Sequence, residues 1–167
     1  GSIDVSSDDS IGGSVAIIGE SVSNAGSIDA SGANGGGEVL IGGDYQGDNP
    51  LLSNAQNTVV SGSILADAIE NGDGGRVIVW ADNTTDFSGS ISATGGDRSG
   101  DGGFVEVSGK DVLTYQGFSD LSAAVGETGL LLLDPTNISI STGSDSSITG
   151  NPDFVSTLAN AAFDQIA

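Results

Sequence analysis

Carboxylates are the main chemical resource of this chain: 23 Asp and Glu stand against three basic residues, Arg76, Arg98 and Lys110. His and Cys are both absent, so the usual pairing of a nucleophile with an imidazole base is out of reach. Acid pairs remain. Asp8 with Asp9, or Asp97 with Asp101, could serve glycoside hydrolysis, which needs two carboxyls at a defined separation. Among so many acids such pairs arise by chance, so no catalytic residue is assigned and the chain is read as non-enzymatic.

Calcium is the other chemistry to weigh. Asn71-Gly-Asp73-Gly-Gly and Asp97-Arg-Ser-Gly-Asp101-Gly-Gly place hard oxygen donors in tight turns, as Ca²⁺ requires. Neither follows the EF-hand spacing or the glycine-rich nonapeptide of calcium β-rolls, and Asp and Asn are ordinary turn residues. Asp73, Asp97 and Asp101 stand as weak calcium candidates beside a plain turn role, and no other cofactor is expected.

A formal charge of −20 repels phosphate, which argues against nucleic acid and anionic membranes as partners and keeps an extended β-protein soluble. A β-helical polysaccharide lyase acting on an acidic substrate would want more than three cations, and a β-helical polysaccharide hydrolase stands as the less favoured enzymatic alternative. The absence of cysteine fits an exported bacterial protein without disulfides, although cytosolic chains also lack it. No run approaches the roughly 20 apolar residues of a spanning helix, so no membrane insertion is expected. The sequence opens on Gly1-Ser2, and an export signal is expected to lie outside it.

The elements that must position these residues are repeats. One reads Gly-x-apolar-x-apolar, with its glycines at 13, 37, 75, 103 and 129, in steps of 24, 38, 28 and 26 residues. A second, Gly-Ser-Ile-x-Ala/Val, starts at Gly1, Gly26, Gly62 and Gly89, in phase with the first. Short alternating strands with glycine turns cannot bury an apolar face alone, whereas stacked coils close a continuous core. The predicted fold is an all-β parallel β-helix of about five coils over residues 1–150. Val15, Val39, Val77, Val105 and Leu131 should form one internal ladder, and Ile17, Ile41, Val79, Val107 and Leu133 its neighbour. Clusters around Val22, Val59-Val60, Phe87 and Tyr115 supply a third strand per coil. The repeat glycines are assigned to corners needing positive φ.

Strand parity then turns Leu40, Ile78, Trp80, Phe104, Leu130 and Leu132 outward as an apolar strip. A contiguous patch marks an interface or a covered surface. The long step of 38 contains an insertion at 44–57, expected as a loop leaving one face. Two readings follow: the loop or the C-terminal segment lies over the strip, or the strip carries lateral or end-to-end self-association. Residues 151–167 differ. Asn151-Pro152 is a helix start signal, and Phe154, Leu158, Ala162 and Ile166 recur at helical spacing. A short amphipathic helix is expected there, either capping the last coil or beginning the next unit.

The stretches 35–47 (GGGEVLIGGDYQG), 71–82 (NGDGGRVIVWAD), 102–110 (GGFVEVSGK) and 131–138 (LLLDPTNI) together resemble the filamentous-haemagglutinin-type large exoproteins exported by two-partner secretion. The resemblance covers roughly residues 25–140. It implies a right-handed β-helix and an outer-membrane transporter as partner during export. It also implies a secreted, extracellular place on a bacterial surface, with roles in adhesion, aggregation or biofilm. The matching stretches look like repeat region rather than secretion domain. They bring no catalytic residues. A surface glycan or a host or bacterial receptor is the expected further partner, and a carbohydrate- or calcium-binding module is the alternative. One departure is Ser119, where the pattern wants a core Ile; a bulge placing Phe118 or Leu121 in that space is expected.

Overall fold

The computed structural model describes residues 1–134 and the backbone of 137–139. Three strands recur in each coil, and each joins its counterpart in the next coil to build three five-stranded parallel sheets. The first sheet contains β1 (Ser2–Asp4), β4 (Ser27–Asp29), β7 (Ser63–Leu65), β10 (Ser90–Ser92) and β13 (Phe118–Asp120). The second contains β2 (Ser14–Ile17), β5 (Glu38–Ile41), β8 (Arg76–Ala81), β11 (Phe104–Gly109) and β14 (Leu130–Leu132). The third contains β3 (Ser21–Asn24), β6 (Asn57–Val60), β9 (Thr84–Phe87), β12 (Val112–Tyr115) and β15 (Asn137–Ser139). The molecule is a parallel β-solenoid of about five turns, as the repeat requires.

Register follows the repeat residue by residue. Val15 pairs with Val39, Val39 with Val77, Val77 with Val105 and Val105 with Leu131. Ile17, Ile41, Val79 and Val107 run alongside in the same manner. In the first sheet Ile3, Ile28, Ile64 and Ile91 form the equivalent ladder. A one-residue slip would turn every one of these side chains to the other face, so burial pins the register. In the third sheet two inward threonines interrupt the apolar ladder. Each hydroxyl donates to a backbone carbonyl inside the coil, Thr58 Oγ1 to Trp80 O and Thr85 Oγ1 to Ser108 O, both at 2.7 Å, which removes the cost of a buried polar group.

The repeat glycines serve close approach rather than positive φ. Positive φ occurs at Gly35, Gly42, Gly47, Gly72 and Gly100, none of them a repeat glycine. A Cβ on Gly37, Gly75, Gly103 or Gly129 would instead strike the carbonyl oxygen of the repeat glycine one coil below, and Gly62 and Gly89 meet the same obstacle. Coils stacked at the strand spacing of about 4.8 Å leave no room for a side chain at these corners.

The bulge expected near Ser119 is absent. Ser119 pairs in register with Ile91 and is buried, while Phe118 is exposed. Two neighbours make up the lost volume. Leu121 is buried in the core, in the column that Ala30, Ala66 and Ala93 occupy in earlier coils. Tyr115 stacks on Phe87 with ring centroids 5.1 Å apart, and its hydroxyl lies 2.8 Å from Ser119 Oγ. The serine is thus the polar end of an aromatic column.

The predicted unit end at 150 and the expected helix over 151–167, with Phe154, Leu158, Ala162 and Ile166, lie outside the described residues. Among the described residues no helix is long and apolar enough to cross a membrane.

Candidate functional site

The insertion leaves the second sheet after Ile41 and rejoins the third at Asn57, which is already the first residue of β6. Its first turn is a 3-10 turn, Tyr45–Gly47, capped by Asp44, whose side chain accepts from the Tyr45 N–H. The turn folds back over the outer face of the second sheet. Leu52 from the loop and Phe104 from β11 pack against a second apolar cluster made of Leu40, Ile78 and Trp80. Tyr45 meets Phe104 edge-on with ring centroids 5.8 Å apart.

Four of the six outward apolar residues, Leu40, Ile78, Trp80 and Leu132, are therefore buried. Phe104 and Leu130 are half-buried. Of the two readings of the strip, the intramolecular one describes its centre: the loop seals Leu40, Ile78 and Trp80, which are not free surface while it is docked.

Polar contacts hold the loop at several points. Arg76 of β8 bridges Glu38 of β5 at 2.6 Å and Asp44 of the loop at 2.5 Å. Partial burial would raise the Asp44 carboxyl, but hydrogen bonds from Arg76, Asn49 and the Tyr45 N–H outweigh it and hold the group below its usual range. Desolvation would lower Arg76, and its two carboxylate partners overcome that and raise it. Farther along, Asn54 Nδ2 donates to Gly47 O at 3.0 Å and to Asp82 at 3.1 Å. Asp82 also accepts from the Trp80 indole at 3.2 Å.

Beneath this cover lies an acid that the residue spacing did not single out. Glu106 pairs in register with Ile78 on one side and Leu132 on the other, so a carboxylate occupies the column that Ala16, Leu40, Ile78 and Leu132 otherwise fill. It is fully buried. Its Oε2 accepts the Gln46 backbone N–H at 3.1 Å, and its Oε1 has no hydrogen-bond partner. Gln46 is the one non-glycine with positive φ among the described residues, at 53°. Its side-chain amide reaches Asp134 at 3.5 Å, and the Asp134 N–H donates to Ser108 Oγ at 3.2 Å. Burial pushes the Glu106 carboxyl up to about 7. The Gln46 N–H, the Ser108 hydroxyl and the more distant Arg76 pull it down, while Asp134 adds to the rise. The register of the repeat was the available signal: one acid stands in an apolar column.

Two of the three calcium candidates, Asp73 and Asp101, tie successive coils together. Asp73 Oδ1 accepts the Asp101 N–H and Asp101 Oδ1 accepts the Glu127 N–H, both at 2.8 Å. Asp97 is exposed. Among the described residues no group of three or more acids is placed to hold a metal ion. Asp8 and Asp9 are exposed at the first coil. Beside the loop, a shallow groove with a floor of glycines is lined by Ile11, Glu38, Arg76 and Phe104. No protein-family model matches the chain, and no curated protein is found to be related to it.

Proposed function

We propose that this chain is a rigid structural or adhesive segment of a secreted bacterial surface protein, working by its shape and outer surface rather than by catalysis. The observation that carries this reading is the unbroken coil-to-coil register of three parallel sheets around one apolar core. Such a solenoid transmits length and stiffness, and each coil contacts only its neighbours. The resemblance to filamentous-haemagglutinin-type exoproteins supports the same role, with export through an outer-membrane transporter. Adhesion would then fall to the loop-covered face and to the coil ends, in contact with another copy, a surface glycan or a cell-surface receptor.

Electron microscopy of the purified protein, with adhesion assays on beads coated with it, tests the reading. Rods or filaments, or beads that bind cells, are expected. Monomeric particles together with inert beads would overturn it.

A second reading, a glycan-binding module, rests on the groove beside the loop, where the half-buried ring of Phe104 adjoins Arg76 and Glu38 over a glycine floor. Aromatic faces and bidentate polar side chains are the usual means of holding a sugar. Binding on a glycan array that disappears in Phe104→Ala would favour it, and a blank array would exclude it.

A further inference from the structure

We propose that the 44–57 loop is a proton-controlled cover, docked on the second sheet while Glu106 is protonated and released from Leu40, Ile78 and Trp80 when Glu106 ionises. Three geometric facts carry this. First, Glu106 stands between Ile78 and Leu132 in an apolar column with no exposed surface, and its Oε1 has no hydrogen-bond partner. A buried neutral carboxyl with one unpaired oxygen is tolerable; an unpaired buried charge is much more costly. Second, the loop meets the carboxyl directly through the Gln46 N–H; that bond and the Ser108 hydroxyl favour the ion, but the loss of water under the docked loop outweighs both. Third, that N–H is aimed by a residue held at a φ of 53°, a conformation that a non-glycine residue adopts at a cost and that undocking relieves.

The surrounding charges favour the same direction. Asp134, which receives the Gln46 side chain, opposes a second negative charge beside it. Arg76 is the one nearby cation, and it is already held by Glu38 and Asp44, so it offers Glu106 only a distant attraction. Ser108, on the same strand, favours the ion more than Asp134 opposes it, and burial outweighs Ser108 in turn. Lifting the loop gives the carboxylate water, the strongest partner available to it.

Linkage sets where the change occurs. In the released state Glu106 titrates near 4.5 and in the docked state near 7. Docking therefore weakens about tenfold per pH unit between those values and is unaffected beyond them, a total of roughly 300-fold.

Trp80 reports the state of the loop. It is the only tryptophan of the chain, it is 5% exposed, and Gly47 of the loop, with Gly43 just before it, lies against its ring. Its emission should shift to longer wavelength as pH rises from 4.5 to 8 while the far-ultraviolet circular dichroism of the solenoid stays constant. Glu106→Gln, a neutral mimic of the protonated acid, should keep the short-wavelength emission throughout. Should that variant fail to fold, Asp134→Asn serves instead: removing the neighbouring charge should leave a smaller released fraction at pH 8. Emission in the native protein that does not change with pH overturns the proposal. So does a transition that persists in Glu106→Gln, or one that Asp134→Asn leaves unreduced.

Discussion

The backbone N–H of Gln46 donates to the carboxylate of Glu106, 60 residues later in the chain, at 3.1 Å. This bond joins the one long insertion of the solenoid to the one acid in an apolar column, and its strength depends on geometry that proline cannot reproduce. Gln46→Pro removes the donor and forces φ to about −65°. A hydrogen bond to a neutral partner, as Glu106 is at pH 5 under the docked loop, contributes about 0.5–1.5 kcal/mol. The variant should lose about that much stability, and its Trp80 emission should already be long-wavelength at pH 5. A melting curve and one emission spectrum check both.

Glu106 also makes overall stability depend on pH. Its folded value of about 7 lies above the ordinary 4.5, so between those values the folded state holds a proton that the unfolded chain has lost. The contribution is complete below about pH 4.5, declines as pH rises towards 7, and then stays lost. The interval corresponds to at most about 3 kcal/mol. Chemical denaturation at pH 4.5 and pH 7.5 should show native protein losing stability over this range relative to Glu106→Gln. Asp44 acts in the opposite sense at lower pH: its carboxyl is held below 3.8, so its contribution disappears as the solution is acidified through that region.

The corner glycines should tolerate no side chain. Gly62→Ala drives a Cβ into the Gly26 carbonyl and should cost about 1–3 kcal/mol or more, the usual penalty of overpacking. Gly19→Ala makes only ordinary contacts, the nearest at 3.8 Å, and should change stability by no more than about 0.5 kcal/mol. Urea titration of the two variants gives the comparison.

Leu121 takes up volume that the missing isoleucine at 119 leaves vacant. Leu121→Ala should cost about 2–5 kcal/mol, as for other buried leucines. Ser119→Ala should cost on the order of 1 kcal/mol through the lost Tyr115 contact. Thermal melts of both variants, with the larger loss in Leu121→Ala, are the expected result.

Much of the fold was legible in the sequence because a solenoid is locally periodic. The glycine phase and the alternation of Val39 and Ile41 with Leu40 state the register directly. The third strand was harder to read, since Thr58 and Thr85 break the apolar alternation and are reconciled only by carbonyls of the second-sheet strand in the following coil. The corner glycines are plain in the sequence, but the reason for them is not: crowding against the coil below is a contact between residues 24 to 38 positions apart, invisible to a local reading of φ.

The candidate site was half legible. Parity identified the outward strip of Leu40, Ile78 and Trp80, and the long step at 44–57 identified something able to cover it. Glu106 passed unnoticed because an acid at an outward strand position is ordinarily solvated. Its burial depends on where a loop from an earlier coil comes to rest.

By itself the sequence determined the β-solenoid, its approximate number of coils and its inward ladders, because each depends on residue types repeated at a fixed spacing. Tertiary structure alone decided the position of the loop over the second sheet and the strained backbone of Gln46. The same placement buries Glu106 and pushes its carboxyl up to about 7. Loop docking is a contact between distant residues with no period to announce it, and a carboxyl's ionisation is set by the water and charges around it rather than by its own identity.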